Sequence, residues 1–259
     1  MIVTALLVWW DENADDLEEC VRNMAVVADR LVAVDGAYRR YPGATTASPL
    51  DQTARIMETA REVGIDCVVH TPNRLWAGQI EKRSYAFREA AHGSDWIATF
   101  DSDWIAHGDR EAIRDELVAY AADPKVDVVT ASFYTVPGDA YATNWHRQEE
   151  QRGRVHLPHL FRPLPGFLVE GHHWWYSVIK DGRRAWAWHG TPAEWPNLEH
   201  FPIRSNYEIE HKTLARDEKH ILASRAFCND RVRVIKWTDQ EDDVPGLPDP
   251  IWDFETEPY

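Results

Sequence analysis

The sequence predicts an α/β domain with a mostly parallel sheet and helices on both of its faces. Apolar runs of strand length alternate with segments of helical periodicity through about the first 131 residues, which is the rhythm of a parallel sheet. The first run, residues 2–10, is apolar throughout and includes β-branched residues, as in strands that are buried on both faces. With the helix and strand that follow, up to residue 36, it predicts a βαβ unit.

The apolar spacing places the elements of the first half in order. Strands are expected at residues 2–10, 31–36, 67–70, 96–100 and 126–131. Helices are expected at residues 15–28, 51–63, 79–91 and 109–120. Within the helices apolar residues recur three and four positions apart, and Gly64 and Gly93 follow the ends of the second and third helices.

The chain changes character after about residue 132, where Pro, Gly, His and aromatic residues become frequent. Expected here are strands at residues 155–161 and 174–179, a hairpin turn at 180–183, a long helix at 208–227 and a last strand at 232–237. We expect residues 1–131 and 132–236 to be two halves of one domain. Residues 237–259 hold eight acidic residues and no basic one, which is typical of a solvated or partly disordered tail.

The chain is acidic, with 28 Lys and Arg against 43 Asp and Glu and a net charge of −15. A sequence-independent nucleic-acid binder needs a basic face, so nucleic acid is not an expected partner. The three cysteines form no CxxC pattern and indicate reduced thiols in a cytoplasmic protein. The N-terminus lacks the features of a signal peptide, and no apolar run approaches the roughly 18 residues that span a bilayer.

The chain is organised around residues 95–103, DWIATFDSD, an apolar strand that runs into two carboxylates. In an open α/β sheet ligands bind beyond the carboxyl ends of the strands, which is where Asp101 and Asp103 would emerge. Two aligned carboxylates repel each other unless a proton or a cation lies between them, and hard oxygen ligands suit Mg²⁺ or Mn²⁺. The alternative is a strand that ends in a solvated acidic turn, because Asp and Ser are ordinary turn residues.

Two further groups are expected at the same edge of the sheet. Asp35 follows the second strand, where it could accept hydrogen bonds from a nucleobase or a ribose, or could simply begin the turn at Gly36. Lys82 and Arg83 lie near the start of the helix before Asp101, where they could hold a diphosphate or form a solvated helix face. No GxGxxG, GxxxxGK[ST], GxSxG or HExxH pattern occurs, so a dinucleotide loop, a P-loop, a hydrolase elbow and a zincin helix are not supported.

The second half offers weaker candidates for the acceptor side of a site. Glu170 is a candidate general base. Several histidines could be a third metal ligand, line an acceptor site or make structural hydrogen bonds: His172, His173, His189 and His200. Several tryptophans could stack on sugar rings or pack in a core: Trp174, Trp175, Trp186 and Trp188.

The combination resembles the family 2-like glycosyltransferases of the GT-A fold. WAGQIEKR at residues 76–83 and GSDWIATFDSD at residues 93–103 are similar to that family's helix and to the strand that ends in its Asp-x-Asp metal motif. Residues 160–162, LFR, and residues 198–201 with Arg204 are similar to its later LFR and H…R segments. The resemblance covers most of the chain and implies a Rossmann-like, mostly parallel sheet with an irregular, aromatic-rich acceptor half.

The resemblance also implies a nucleotide-diphosphate sugar as donor and a divalent cation, Mn²⁺ or Mg²⁺, that bridges its diphosphate. By position, Asp35 would contact the nucleoside and Asp101 the ribose or the metal. Asp103 would be the main metal ligand, and His200 would be a further one. Ser102, between the two carboxylates, belongs to the same donor-binding motif.

Two departures from the family's pattern concern the ends of the substrate. The usual Pro-x-Tyr-Asn after the first strand is replaced here by WWDE, so Trp9 becomes the donor-binding candidate and the base pocket differs. The family's acidic base motif is not obvious, which leaves Glu170 as the candidate and the stereochemical outcome open.

The function expected from these features is metal-dependent transfer of a sugar, of the hexosyltransferase type, to a hydroxyl on a sugar, a protein or another acceptor. One alternative is a nucleotidyltransferase or a metal-dependent phosphohydrolase on a similar sheet. Against the first of these, a sugar-activating nucleotidyltransferase usually has a Gly-rich basic loop after its first strand, where this chain has WWDE. The other alternative is a non-catalytic carbohydrate-binding protein that uses the late tryptophans.

Overall fold

The computed structural model describes residues 1–39, 41, 43–123, 126–135, 155–163, 167–169, 176–180, 183–187 and 203–212. Across these residues strands and helices alternate in the first half, and strands follow in the second. The strands are β1 (Val3–Val8), β2 (Arg30–Val34), β3 (Asp66–His70), β4 (Trp96–Asp101), β5 (Trp104–His107), β6 (Val128–Thr135), β7 (Val155–Phe161), β8 (Phe167–Val169), β9 (Tyr176–Lys180), β10 (Arg183–Ala187) and β11 (Ile203–His211). The helices are α1 (Ala14–Met24), α2 (Leu50–Glu62), α3 (Gln79–Ala91) and α4 (Arg110–Ala122).

Eight of the described strands form one sheet in the order β3-β2-β1-β4-β7-β6-β11-β5. Of its seven neighbouring pairs, four are parallel and three are antiparallel. The prediction of a mostly parallel sheet is therefore wrong, and the sheet is mixed. The helix-linked strands β1 to β4 are parallel as expected, but β7 runs against both β4 and β6, and β5 runs against β11.

The connection from β4 to β5 forces this sheet to curl. Four strand spacings separate β4 from β5 in the sheet order, which is about 19 Å across a flat sheet. Three residue steps join Asp101 to Trp104, and they reach at most about 11 Å. The far edge of the sheet, made of β11 and β5, must therefore bend back towards the end of β4.

Helices cover both faces of the sheet, as the sequence predicts. One apolar cluster takes alternate residues of β1, such as Val3 and Leu7, together with the buried faces of α1, α2 and α4. A second cluster takes the other residues of β1, such as Leu6, together with α3. Because β1 is buried on both faces, its continuous apolar sequence follows directly from its place in the middle of the parallel strands.

Strands β11 and β5 differ from the prediction. Residues 203–211 form strand β11, so the long helix expected from residue 208 is wrong there, and residues 213–227 lie outside the described part of the chain. From Tyr207 onwards apolar and polar residues alternate, and Tyr207 and Ile209 are buried in the first apolar cluster, which is the period of two of a strand. Strand β5 was not predicted because it has four residues and follows the two carboxylates at once.

The strands expected at 155–161 and 174–179 are present as β7 and β9, whereas β8 was not predicted. Strand β7 has the predicted bounds, and Lys180 pairs with Arg183 across the predicted hairpin between β9 and β10. The last strand, at 232–237, and the acidic tail lie outside the described residues, and the division of the domain at residue 131 stays a prediction. None of the described helices is both long enough and apolar enough to cross a bilayer.

Candidate active site

Six of the eight strands in the large sheet run in one direction, so their carboxyl ends meet at one edge. Strands β1, β2, β3 and β4 are mutually parallel, and β6 and β11 have the same direction because β7 runs against both β4 and β6. This edge carries Trp9 after β1, Asp35 after β2, Asp101 at the end of β4 and His211 at the end of β11. Four distant parts of the sequence therefore converge where α/β sheets bind ligands.

Arg83 and Asp101 form an ion pair at this edge. Nη2 of Arg83 donates a short hydrogen bond to Oδ1 of Asp101. The arginine side chain is 3% exposed and the aspartate side chain 23% exposed, so the cation lies beneath the carboxylate. The other carboxylate oxygen, Oδ2 of Asp101, has no hydrogen-bond partner among the described residues. The sequence placed these two residues at one edge, and the structure joins them.

Asp103 faces a histidine that sequence reasoning missed. Nε2 of His211 lies 3.5 Å from Oδ2 of Asp103, and the two side chains are 14% and 9% exposed. The backbone supports the pair, because Trp104 is the strand partner of His211 and the amide of Lys212 donates to the carbonyl of Asp103. The alternation of β11 could have revealed His211, since it would place that residue on the same face as Tyr207 and Ile209.

Asp35 has a different environment from the other two carboxylates. Its side chain is fully buried and accepts hydrogen bonds from the amide of Gly36 and from both the amide and the hydroxyl of Ser48. Its backbone carbonyl accepts the indole N–H of Trp76. The hydroxyl of Ser48 also accepts the amide of Asp11, so the loop after β2 is tied to the loop after β1. The predicted contact of Asp35 with a nucleoside stays a prediction.

Lys82 is buried against the same two loops. Its Nζ donates to the carbonyl oxygens of Trp9 and Gly36, each at 2.7 Å, and the residue is 2% exposed. Burial lowers the pKa of the Lys82 ammonium to about 7, although the negative charge of Asp35 acts in the opposite direction. Lys82 and Arg83 are adjacent in α3, yet Lys82 contacts the loops after β1 and β2, whereas Arg83 contacts Asp101 at the end of β4.

The remaining predicted site residues are placed as follows. Trp9 is buried, and its indole Nε1 has no hydrogen-bond partner among the described residues. Ser102 is buried in the turn between β4 and β5. Glu170 and His200 lie outside the described residues, so the predicted general base and the predicted third metal ligand are not placed.

The turn that carries the carboxylates rests on a buried, mostly aromatic layer. His159 on β7 packs against the rings of Phe100 and Trp104, which flank the turn, and its Nε2 lies 3.0 Å from the hydroxyl of Tyr207. Burial lowers the pKa of His159 to about 3, so the imidazole is neutral. The thiol of Cys20 donates to the carbonyl of Asp101, and burial raises the pKa of that thiol well above its usual value.

The described residues contain no group of three or more His, Cys, Asp or Glu side chains placed to hold a metal ion. They do contain one carboxylate–imidazole pair, Asp103 with His211, and a second carboxylate, Asp101, which is paired with Arg83. Mg²⁺ and Mn²⁺ sites at phosphates commonly take one or two carboxylates from the protein and complete their shell with phosphate oxygens and water. The Asp103–His211 pair therefore fits a divalent cation that takes its remaining ligands from a phosphorylated molecule and from water.

No protein-family model matches this chain, and no curated protein matches its sequence. Among solved structures, TarS of S. aureus is 18% identical over 56% of this chain and 23% of its own chain, with a TM-score of 0.37. A mannose-1-phosphate geranyltransferase from Thermus thermophilus is 15% identical over 63% of this chain and 58% of its own, with a TM-score of 0.31. A UDP-glucose pyrophosphorylase in complex with UDP-glucose is 11% identical over 89% and 100% of the two chains, with a TM-score of 0.29. Likenesses this distant do not assign the chain to a family.

Proposed function

We propose that this protein is a metal-dependent glycosyltransferase that moves a sugar from a nucleotide-diphosphate sugar to a hydroxyl-bearing acceptor. The observation that carries the proposal is the pairing of Asp101 with Arg83 and of Asp103 with His211 at one sheet edge. Each of the two carboxylates lies beside a group that is or can be positively charged. Such a site offers negative groups to a metal cation and positive groups to a diphosphate.

Asp103 and His211 are the residues that would hold the cation. Their side chains face each other and are mostly buried, so little movement is needed for both to contact one ion. Asp101 stays paired with Arg83 through Oδ1, and phosphate oxygens and water would complete the shell of the cation. An imidazole beside carboxylates favours Mn²⁺ over Mg²⁺, because Mg²⁺ prefers oxygen ligands. When bound, the cation would neutralise the charge that develops on the departing nucleoside diphosphate.

Arg83 contributes a fixed positive charge to the same step. Its guanidinium is nearly fully buried and oriented by Asp101, so its position is set before any ligand arrives. Preorganised charge in a site of low water content stabilises a developing negative charge more than the same charge in water. We assign Arg83, rather than Lys82, to the diphosphate.

The acceptor side of the site rests on the sequence. If the transfer inverts the anomeric centre, a carboxylate must take the proton of the acceptor hydroxyl, which contributes about 10²–10⁴-fold to the rate. Glu170 is the proposed base, and His200 is retained as a second candidate ligand of the cation.

A donor screen tests the proposed function. The protein is incubated with UDP- and GDP-sugars, with Mn²⁺, Mg²⁺ or EDTA, and the release of nucleoside diphosphate is measured. We expect release from one donor class that requires the metal and that falls about 10²–10³-fold in Asp103→Asn. Asp115→Asn, an exposed carboxylate on α4, is the matched control and should keep the wild-type rate.

A thermal-shift panel separates the alternatives. Stabilisation by UDP or GDP with Mn²⁺ supports the transferase, because a bound ligand raises the melting temperature according to its affinity. Stabilisation by a nucleoside triphosphate and a sugar phosphate instead would identify a nucleotidyltransferase. Binding of sugars without nucleotide or metal would identify a carbohydrate-binding protein. Full activity of Asp103→Asn in the donor screen would overturn the metal site.

A further inference from the structure

Lys82 bridges two loops at the edge of the sheet. Its ammonium donates to the carbonyl of Trp9, which directly follows β1, and to the carbonyl of Gly36, which follows β2. Both distances are 2.7 Å, and the side chain is almost completely shielded from water. The two carbonyls belong to different segments of the chain that have no covalent reason to stay at a fixed separation.

The bridge lies where the ladder between β1 and β2 stops. The amide of Trp9 donates to the carbonyl of Val34 at 3.2 Å, which is the last bond of that ladder. Beyond it the chain turns at Gly36, where φ is +106°, and the amide of Gly36 donates to the side chain of Asp35 rather than to the β1 side. Beyond the end of the ladder, the side chain of Lys82 therefore links the two segments that follow β1 and β2 in place of backbone hydrogen bonds.

An apolar residue would occupy this position at a lower desolvation cost. Burying an ammonium is unfavourable, and its hydrogen bonds offset that cost without a large surplus. Methionine has a similar length and no charge to bury. Stability alone therefore does not account for a lysine here, whereas the need to hold two carbonyl oxygens together does.

The neighbouring residue of α3, Arg83, has a different partner. Its guanidinium pairs with the carboxylate of Asp101, which is 23% exposed and can therefore be reached by a ligand. Two of the three protons of Lys82 are engaged by backbone carbonyls, and the ring of Tyr38 lies 5.5 Å from its Nζ. A phosphate could reach this ammonium only by separating the loops that it joins.

We propose that Lys82 is a positioning residue, which fixes the loop after β1 against the loop after β2 and thereby shapes the nucleoside end of the donor site, and that it does not contact the diphosphate. This inference rests on the proposed function and on the expectation from the resemblance that Trp9 and Asp35 lie at the nucleoside end of the donor site. Ser48 joins the same loops at a second point, through Asp35 and the amide of Asp11. Two ties at different points give the loops a defined orientation as well as a defined distance.

The test compares monophosphate and diphosphate binding in three variants. Affinities for UMP, UDP, GMP and GDP with Mn²⁺ are measured for wild type, Lys82→Met, Arg83→Met and Arg88→Met. Arg88, exposed on the same helix, controls for the loss of one cation from α3. We expect Lys82→Met to weaken the monophosphate and the diphosphate of the preferred base equally, by about tenfold, and so to keep their ratio. Arg83→Met should weaken the diphosphate more than the monophosphate.

A direct phosphate contact gives the opposite pattern for Lys82. Loss of diphosphate affinity with unchanged monophosphate affinity in Lys82→Met would overturn the proposal, as would unchanged affinity for both. If Lys82→Met does not fold, Lys82→Gln, whose amide keeps a donor, serves for the same comparison. A structural role without influence on the site would lower the melting temperature and leave both affinities at the wild-type level.

A second measurement does not depend on nucleotide binding. Hydrogen exchange followed by mass spectrometry should show faster exchange in residues 9–12 and 36–48 of Lys82→Met, and wild-type exchange in α4. Wild-type exchange in both loops would overturn the bridge itself. If the wild-type protein binds none of the four nucleotides, the proposed function fails, while the exchange experiment still decides whether Lys82 holds the loops together.

Discussion

The carboxylates at the ends of β2 and β4 lie at the same edge of the sheet but differ in burial and in hydrogen-bond partners. Both strands lie beside β1; Asp101 is the last residue of β4, and Asp35 directly follows β2 at the same edge of the sheet. Asp35 is fully buried and saturated by three donors from its own loop. Asp101 and Asp103 keep some exposure, and their partners Arg83 and His211 come from elsewhere in the chain.

The segment that follows each strand makes the difference. After Asp35 a loop of more than ten residues returns over the strand end, so its own amides and the hydroxyl of Ser48 reach the carboxylate. After Asp101 two residues lead directly into β5, which leaves no chain to fold back. In this protein the length of the segment that follows the strand therefore decides whether the carboxylate at the strand end is covered by its own loop or left accessible to a ligand.

The largest effect that separates the two regions should be on stability. Asp35→Ala leaves three buried donors without their acceptor, so we expect the free energy of unfolding to fall by about 3 kcal/mol or more. Asp103→Ala removes the contact with His211 and leaves no set of three buried donors, so it should lower the free energy of unfolding by less, about 1 kcal/mol. Urea unfolding of both variants measures the difference. Equal losses would show that the two carboxylates are not distinguished in this way.

The next effect concerns the metal. His211→Gln keeps a polar side chain but removes the imidazole that faces Asp103, so the Mn²⁺ concentration for half-maximal activity should rise about 10- to 100-fold. The measurement is nucleotide release across a Mn²⁺ titration. His92→Gln, at the end of α3, is the control and should leave the titration unchanged. An unaltered Mn²⁺ requirement in His211→Gln would remove that residue from the metal site.

A smaller effect tests how tightly the loop after β2 is closed. Gly36 has φ of +106°, and a Cβ there would lie 3.0 Å from the indole nitrogen of Trp76 and 3.1 Å from the carbonyl of Thr46. Gly36→Ala should destabilise the protein by about 1–3 kcal/mol through backbone strain and crowding. Gly43→Ala shares a positive φ but has open space around its Cβ, so it isolates the strain from the crowding.

The smallest effect is the pH dependence that Lys82 contributes. Its pKa is about 7 in the folded protein, lowered by burial and by Arg83 and raised in part by Asp35, Glu12 and Asp101, against an ordinary value of 10.5. Between these values the unfolded chain binds a proton that the folded chain does not, so stability rises with pH and is lost as pH falls towards 7. The slope reaches at most about 1.4 kcal/mol per pH unit.

Melting temperatures from pH 7 to 9 measure this slope. We expect Lys82→Met to have a flatter profile than wild type and than Arg88→Met over that range. Parallel profiles for all three proteins would contradict a buried lysine that releases its proton. The comparison also reports on the β2 side of the site alone, because Asp101 and His211 are common to the three proteins.

The first half of the fold and one side of the site could be predicted from local sequence. Strands buried on both faces have continuous apolar runs, and amphipathic helices between them fix parallel order, so β1 to β4 and their helices follow from spacing. The aspartates at the strand ends follow in turn. The local sequence did not predict whether the carboxylate of Asp35 is exposed or covered, because its hydrogen-bond partners, such as Ser48, depend on the path of the loop after β2.

The second half could be predicted only in part, because its pairings are distant in sequence. Strand β11 inserts between β6 and β5, and nothing local to residues 203–211 specifies either neighbour. The helical interpretation from residue 208 missed an alternation that begins one residue earlier, at Tyr207. The missed strand and the missed partner of Asp103 have one origin, since His211 reaches the site through that strand.

The curl that brings β5 back towards β4 has a consequence for the order of folding. Strand β5 is synthesised directly after the carboxylates, but its described neighbour is β11, so it has an open edge until that late strand arrives. Closing so long a stretch of chain is slow compared with forming the local βα units of the first half. We therefore expect Asp103 and His211 to meet late on the folding pathway, so that a cation held between them slows unfolding without speeding folding.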